Sequence, residues 1–289
     1  MRFVNALLGS QPRDYPAIAL AAEEAGFAAV ALSDHIFNPE NLTSAYPYTA
    51  DGKPQYPEGE QWPDPWVMGG ALSATTTTIE FMTNVYVLPL RNPFVVAKAV
   101  STAAVMSGNR VILGVGAGWM REEFDALGQT YERRGARMEE EIEVLRTLWQ
   151  GGFREHHGRH YDFDPVDVSP VPTQPVPIYI GGNSDHALRR AAYFGDGWIG
   201  MYGTVDELGA TIATIRRHSE EAGRADLPFD YVASPLVIPK PETVERLEAV
   251  GLTTILTSAW VARGQMTVGR DEAVDLVSEY GDRFIKPLR

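Results

Sequence analysis

Residues 177–201 read PIYIGGNSDHALRRAAYFGDGWIGM and contain one complete repeat of the fold. The apolar run 177–180 predicts a buried strand, residues 185–194 have helical spacing, and residues 197–201 predict the next strand. Both strands are apolar throughout instead of alternating with polar residues, which is typical of parallel strands buried on both faces. The stretch is therefore predicted to be a strand–helix–strand unit.

The same alternation extends through the whole chain. Before residue 177 the pattern predicts strands at 3–8, 28–32, 79–88 and 110–115, and helices at 15–25, 65–74, 93–106 and, for most of its length, 122–149. After residue 201 it predicts helices at 205–222, 242–250 and 270–280, and strands at 231–238 and 253–258. Eight strand–helix pairs in 289 residues favour an α/β fold, a (β/α)8 TIM barrel forming one domain over residues 1–289. A doubly wound open sheet is the alternative with the same alternation.

Two long insertions interrupt this rhythm, one after strand two and one before strand five. Residues 33–64 contain many prolines and several aromatic residues, and connections of this length tend to be lids or binding loops. Residues 151–174 contain His156, His157 and His160 near two aspartates, a composition that could suggest a metal site. Barrel enzymes draw metal ligands from several strand ends, so we expect a solvated loop and no metal ion here.

Composition limits the classes of partner. The formal net charge of −13 disfavours nucleic acid and anionic membrane surfaces, and no apolar run approaches membrane-spanning length. The chain has no cysteine, so a catalytic thiol and thiolate metal sites are excluded. Residues 1–5 lead directly into a strand pattern without the features of a secretory signal, so we expect a cytoplasmic protein that acts on a small molecule.

Two glycine-containing turns follow predicted strands and precede helices. Residues 114–118, GVGAG, favour a backbone that approaches a cofactor closely, and equally favour tight strand–helix packing. The following helix is too long, and the next strand too late, for the dinucleotide fingerprint of a Rossmann fold. In the second turn, Gly181, Gly182, Asn183 and Ser184 combine glycines, a hydroxyl and the start of a helix, which predicts an anion site. They also predict an ordinary N-cap, and both roles are compatible.

Three side chains fall at predicted strand exits, where barrel enzymes hold their active sites. His35 follows strand two and could exchange a proton or stack on a ligand, Asn84 lies in strand three, and Trp119 follows strand four. An aromatic side chain at the barrel mouth suits a flat heteroaromatic ligand. Each also has a structural interpretation: Asp34 caps a turn beside a partly buried His35, Asn84 belongs to an ordinary strand, and Trp119 packs at the rim.

Together these segments resemble the bacterial luciferase-like oxidoreductase superfamily, and most closely its branch that depends on coenzyme F420, a deazaflavin. The matching segments are residues 24–27, 33–35, 83–93, 109–119, 133–149, 180–184 and 195–198, which span most of the chain in the family's order.

The resemblance implies a barrel that is often dimeric, with a tricyclic cofactor ring in its mouth. It implies a non-proline cis peptide at Asn84–Val85 that supports the ring, and a phosphate at the turn beginning with Gly181. The cofactor-binding residues predicted from the turns and the resemblance together are Asp34, Asn84, Val85, Gly116, Ala117, Gly118, Gly181, Gly182, Asn183 and Ser184. The expected cofactor is F420, with FMN as the alternative, and a homodimer is the expected assembly.

One departure bears on the substrate. Sugar-phosphate dehydrogenases of the superfamily have a catalytic glutamate where this chain has Trp119, which argues against that activity and for a neutral or hydrophobic substrate. The predicted reaction is hydride transfer between reduced F420 and a small organic substrate. His35 is the predicted catalytic residue, and the predicted substrate pocket contains Trp119, Tyr46, Tyr56 and Trp62.

Three other functions remain open from the sequence. An FMN-dependent monooxygenase would use the same phosphate turn. A metal-dependent barrel hydrolase would require the histidines to converge in space. A non-catalytic flavin-binding protein would bind the cofactor without turnover.

Overall fold

The computed structural model describes residues 1–56 and 59–288 and contains eleven β-strands and nine α-helices in these residues. The strands are β1 (Arg2–Ala6), β2 (Ala29–Leu32), β3 (Glu80–Thr83), β4 (Tyr86–Val87), β5 (Val111–Gly116), β6 (Phe153–His157), β7 (Asp162–Asp167), β8 (Ile178–Gly181), β9 (Gly197–Gly203), β10 (Asp230–Pro235) and β11 (Thr254–Thr257). The helices are α1 (Tyr15–Ala25), α2 (Pro65–Thr75), α3 (Pro93–Ser107), α4 (Arg121–Ala126), α5 (Arg134–Leu148), α6 (Asp185–Phe194), α7 (Val205–Glu221), α8 (Pro241–Ala249) and α9 (Arg270–Tyr280).

The parallel strands close into a barrel in the order β1, β2, β3, β5, β8, β9, β10, β11 and back to β1. Pairing of Phe81 with Val111 joins β3 to β5 and completes the circle. The short strand β4 continues β3 beyond a two-residue interruption and also pairs with β5. The prediction of a (β/α)8 barrel is therefore confirmed, and the open-sheet alternative is wrong.

Two apolar layers hold this barrel together. Side chains on one face of the strands fill its interior: Val4, Ala29, Ala31, Met82, Ile112, Tyr179, Ile199, Val232 and Leu256. The opposite faces pack against the surrounding helices in one larger cluster, so the strands are buried on both sides as their sequence predicted. Because side chains plug the interior, a ligand has room only at the open ends of the strands.

Three predicted elements differ from the structure. The predicted helix over 122–149 is divided into α4 and α5, because Gly128 and Arg133 adopt the left-handed conformation at φ 65° and 56°. The predicted strand over 231–238 ends at Pro235, which has no N–H to donate to a neighbouring strand. The predicted strand over 79–88 is interrupted between β3 and β4.

The insertion before strand five is also different from the predicted solvated loop. Strands β6 and β7 pair as an antiparallel hairpin, with Phe153 opposite Asp167 and His157 opposite Asp162. The carboxylate of Glu140, on α5, accepts hydrogen bonds from the backbone N–H groups of the residues before β7. This helix therefore anchors the turn of the hairpin. No helix in the described residues is long and apolar enough to cross a membrane.

Candidate active site

A large cavity opens at the carboxyl ends of the barrel strands, with a volume of about 1150 Å³. It brings together every residue that the sequence singled out for the site. These are Asp34, His35, Tyr46, Tyr56, Trp62, Asn84, Val85, Gly116, Ala117, Gly118, Trp119, Gly181, Gly182, Asn183 and Ser184. They come from the exits of β2, β3, β5 and β8 and from the first insertion.

The floor of the cavity is formed where three strand exits meet at Val85. The peptide bond between Asn84 and Val85 is cis, as the resemblance implied. A Cβ added to Gly116 would lie 2.7 Å from Val85 Cγ2, and one added to Gly181 would lie 2.8 Å from Val85 Cγ1. Both glycines are thus required by the close approach of this side chain, and the first glycine turn packs tightly as well as lining the cavity.

Asp34 anchors the chain that follows Val85. Its buried carboxylate accepts a hydrogen bond from the Val87 N–H at 2.9 Å and two from the Arg91 guanidinium at 2.6 and 2.7 Å. The guanidinium also lies over the Tyr86 ring, 4.2 Å from its centroid. Burial alone would lower the pKa of Arg91, but the facing Asp34 carboxylate raises it, so the guanidinium stays charged.

His35 is held in place by a carboxylate that the sequence did not single out. Both oxygens of Glu123, a fully buried residue at the start of α4, lie 3.2 Å from His35 Nδ1. One of them also accepts the Ile36 N–H at 2.7 Å. A carboxylate accepts hydrogen bonds, so Nδ1 carries the donated proton and Nε2 is the nitrogen left for other chemistry.

The preceding residue of α4 fastens the first insertion in a second place. The carboxylate of Glu122 accepts four hydrogen bonds of 2.7–3.0 Å from the backbone and hydroxyl groups of Thr43 and Ser44. Burial opposes ionisation, but these hydrogen bonds lower the pKa of Glu122 to about 2. Adjacent glutamates therefore hold the insertion at residues 35–36 and at residues 43–44.

Aromatic rings from the first insertion surround His35 and Trp119. The His35 ring lies 4.9 Å from Trp62 and 5.8 Å from Trp119, and Tyr46 lies 5.1 Å from Trp119, all edge to face. Burial, followed by the neighbouring tyrosines, raises the pKa of Tyr46 to about 12, so this phenol stays neutral at physiological pH. These contacts place the predicted substrate-pocket residues around one apolar space.

The second glycine turn is fixed by hydrogen bonds on both sides. The Ser184 side chain caps α6 by accepting the Ala187 N–H at 3.3 Å, as the N-cap interpretation predicted. The indole N–H of Trp198 donates to the Gly182 carbonyl at 2.8 Å, and Asn183 accepts the Met201 N–H at 3.3 Å. Gly182 adopts φ 121°, which side-chain-bearing residues rarely adopt.

Two arginines that the sequence did not single out line the same part of the cavity. Arg134 donates to the Gly118 carbonyl at 2.8 Å and lies over the Tyr131 ring at 3.8 Å. Arg190, on α6, donates to Glu139 at 3.0 Å. Arg134 lies in the segment 133–149, which matches the family, but no pattern in that segment singled out this side chain.

The histidines of the hairpin lie outside the cavity lining. Hydrogen bonds connect His156 to Glu140 on α5 and His157 to Asp162 on the neighbouring strand β7, so both side chains are engaged outside the cavity. Within residues 1–56 and 59–288, no group of three or more potential ligand side chains is arranged to hold a metal ion.

Comparison with known proteins identifies a family pattern over nearly the whole chain. Residues 3–281 match the family model described as luciferase-like monooxygenase. An uncharacterised protein of Mycobacterium tuberculosis is 40% identical over 256 residues, which cover 89% of this chain and 88% of that one. The F420-dependent glucose-6-phosphate dehydrogenase of Nakamurella multipartita is 32% identical over 219 residues, covering 74% of this chain and 60% of the dehydrogenase.

The fold itself has a close structural counterpart. The coenzyme F420-dependent tetrahydromethanopterin reductase of Methanopyrus kandleri superposes with a TM-score of 0.76 at 16% sequence identity, covering 100% of this chain and 99% of the reductase. At this level of identity the likeness concerns the barrel architecture.

Removal of the Glu122 carboxylate should loosen the first insertion. In Glu122→Ala we expect hydrogen exchange at the Thr43 and Ser44 amides to accelerate roughly tenfold, the factor for losing one charge-assisted hydrogen bond. Folding lowers the Glu122 pKa below its ordinary value of 4.5, so its contribution is complete above pH 4.5 and is lost as the pH falls through about 2.

Asp125→Ala is the matched control, because this exposed acid lies on the same helix. Exchange measured by mass spectrometry should be unchanged in the control. Equal exchange rates in the wild type and in Glu122→Ala would show that Glu122 does not hold the insertion.

Proposed function

The chain belongs to the luciferase-like monooxygenase family, and we propose that it is a cytoplasmic oxidoreductase that uses coenzyme F420. The proposed reaction is hydride transfer between the reduced deazaflavin and a small, neutral or hydrophobic organic substrate. The observation that carries this proposal is that one cavity joins the glycine turn at the start of α6 with His35, Val85 and Trp119. An anion-binding turn and an apolar mouth are the two features that a phosphate-bearing tricyclic cofactor requires.

The residues at the start of α6 fit a phosphate group. The first amides of a helix have no acceptor within the helix, and here they follow Gly181 and Gly182, which leave the backbone accessible. Arg134 and Arg190 add positive charge to the same cavity in a protein whose net charge is −13. This donor set supports a phosphate ester as the anionic part of the ligand.

The opposite part of the cavity fits a flat ring. Val85 forms an apolar floor, and Trp119 and Tyr46 provide walls that meet edge to face. Aromatic and aliphatic surfaces around a few polar groups are the usual lining of a heteroaromatic binding site. The bound deazaflavin would supply the hydride, and the protein would orient the ring and keep water away from it.

His35 is the proposed catalytic residue. Its Nδ1 proton is donated to Glu123, so Nε2 is the atom at which a proton would be given to, or taken from, the substrate. Glu123 is a positioning residue, since it fixes the imidazole tautomer without lining the cavity. Trp119 occupies the place of the catalytic glutamate of sugar-phosphate dehydrogenases, so we propose reduction of a carbonyl, imine or activated alkene instead.

The choice between F420 and FMN can be tested by titration. We expect quenching of intrinsic fluorescence by F420 at low concentration, with FMN binding at least about tenfold more weakly. The same deazaflavin without its phosphate should also bind about tenfold more weakly, because the hydrogen bonds at the start of α6 are then lost. Tight binding of FMN together with oxygen consumption by the reduced complex would instead establish an FMN-dependent monooxygenase.

The proposed role of His35 predicts a large loss of rate in His35→Ala. At saturating cofactor, reoxidation of reduced F420 by 2-cyclohexenone or an aliphatic aldehyde should slow by roughly 10²–10⁴-fold. In Glu123→Gln turnover should also fall with little change in KM, because an amide offers one acceptor oxygen in place of two and no longer fixes the proton on Nδ1.

The control for these variants is His157→Ala, an exposed histidine of the hairpin that lies outside the cavity lining. Unchanged turnover in His35→Ala would exclude its catalytic role. Unaltered turnover in Glu123→Gln would show that Glu123 does not orient the imidazole for catalysis.

We also propose a homodimer that associates through α2 and α3. Val67 on α2 is 76% exposed, and Val95 and Met106 on α3 are 63% and 60% exposed. These helices pack against one another, so the exposed apolar side chains lie on adjacent elements. Apolar patches of this kind are typical of subunit contacts.

This assembly predicts a solution mass of twice the 31.8 kDa of one chain. Val67→Asp combined with Val95→Asp should convert the protein to a monomer in light scattering, because charge is strongly disfavoured at the centre of such a contact. Phe153→Asp, at a residue that is 74% exposed on the hairpin, is the control and should remain dimeric. A monomeric wild type would contradict the assembly.

A further inference from the structure

We propose that the substrate carries an unbranched aliphatic chain, and that this chain lies in an apolar groove leading out of the active-site cavity. The groove, which we call the aliphatic groove, is formed at the exits of β9, β10 and β11. Its apolar side chains are Tyr202, Leu236, Val237, Ile238, Val261 and Met266. This inference rests on the proposed function, because it concerns the substrate of the same site.

The exposure of three consecutive aliphatic residues is the first observation. Leu236, Val237 and Ile238 are 62%, 36% and 56% exposed, although they directly follow a buried barrel strand. Tyr202, Val261 and Met266 are 55%, 38% and 48% exposed and line the same cavity. Exposed apolar side chains are ordinary when scattered, but a contiguous set at a cavity mouth indicates a binding surface.

The walls of the groove are built into the barrel. Strands β9 and β10 remain paired to their ends, with Ser234 opposite Tyr202 and Pro235 opposite Gly203, and the Leu236 N–H donates to the Gly203 carbonyl at 2.9 Å. The aliphatic segment after β10 is therefore fixed beside the end of β9. The side chain at position 236 cannot turn into the core without breaking this pairing.

The third strand exit is fixed in the same way. Trp260, after β11, is fully buried and donates its indole N–H to the Leu8 carbonyl at 3.0 Å. A Cβ on Gly9 would lie 2.2 Å from the Met266 carbonyl oxygen, so the segment carrying Val261 and Met266 packs directly on the end of the first strand. These two side chains are thereby held at the cavity instead of moving freely with a loose loop.

The distribution of charge favours a neutral occupant. Residues 231–239, YVASPLVIP, contain no charged side chain. On the facing side, α9 contributes Leu276 and Glu279, and Glu279 forms an ion pair with Arg263. These opposite charges satisfy one another, and the guanidinium of Arg283, which also lines the cavity, lies over the Phe284 ring, 5.0 Å from its centroid. The side chains of the aliphatic groove themselves carry no charge.

The cavity also has room beyond a cofactor and a reacting group. Its volume of about 1150 Å³ exceeds the roughly 300–1000 Å³ of ordinary small-molecule sites. The glycine turns that would hold the cofactor come from β5 and β8, and the aromatic side chains around His35 come from the exits of β2 and β5. The aliphatic side chains come from β9 to β11. The two halves of the cavity therefore suit two different ligands.

Continuity with the reaction cavity identifies the occupant as part of the substrate. A second copy of the chain is already expected on α2 and α3, which follow β2 and β3 and thus lie away from β9 to β11 around the barrel. A hydrocarbon chain in the groove would cover the exposed aliphatic residues while its functional group reaches His35 and Trp119.

The test is binding of a series of 1-alkanols, from 1-hexanol to 1-dodecanol, measured by calorimetry with the protein alone and with the protein loaded with reduced F420. Each added methylene should tighten binding about fourfold until the groove is filled. Leu236→Asp and Ile238→Asp should abolish this chain-length dependence. Leu227→Asp is the matched control, since Leu227 is 53% exposed and does not line the cavity.

Affinity that does not change with chain length, or a dependence that survives in both aspartate variants, would overturn the proposal. A change in solution mass in Leu236→Asp without any effect on alkanol binding would also overturn it, because the groove would then be a subunit contact. If the dependence is found but F420 does not bind, the groove stands and the proposed cofactor is wrong. If F420 binds but the dependence is missing, the cofactor stands and the groove is wrong.

Discussion

The close packing of Val85 between two glycines is the constraint on which the geometry of this site depends. It joins the exits of β3, β5 and β8, and no side chain fits at Gly116 or Gly181 while Val85 stays in place. Asp34, from the exit of β2, then fixes the next residues through Val87 and Arg91. Four neighbouring strands are thus tied together at their carboxyl ends, which gives the cavity a rigid floor before any ligand is bound.

Near the Asp34–Arg91 pair behind this floor, one buried carboxyl is neutral at physiological pH. Burial raises the pKa of Glu141 to about 9, although Tyr161 and the nearby Arg137 oppose the shift. A protonated Glu141 does not compete with Asp34 for the guanidinium of Arg91. The favourable contribution of the neutral form is complete below pH 4.5 and is lost as the pH rises through about 9, so the Asp34–Arg91 pair is undisturbed at physiological pH.

The sequence predicts the barrel and the position of its site for a physical reason. Apolar runs and the glycines that end them are local signals, so strand ends can be predicted from the sequence. Because the carboxyl ends of parallel barrel strands lie on one face, His35, Asn84 and Trp119 are predicted to lie close together even though no distance is known. Partners remote in the chain cannot be predicted in this way: Glu123 lies 88 residues from His35, and no local pattern connects the two. The hairpin was missed because both of its faces are largely exposed, which removes the apolar alternation that marks a strand.

The same reasoning explains why residues 236–238 were assigned to a strand. Hydrophobicity does not distinguish an aliphatic run that packs in a core from one that lines a binding site. In this segment Pro235 marks the end of the strand. In the structure, the strand exits that carry glycine, histidine and indole groups face exits that carry leucine, valine and isoleucine. When the cofactor-binding half of a site is rigid, substitutions in the aliphatic half alone can change which substrate is bound. The segments after β9, β10 and β11 are therefore where this barrel has the freedom to specify what it reduces.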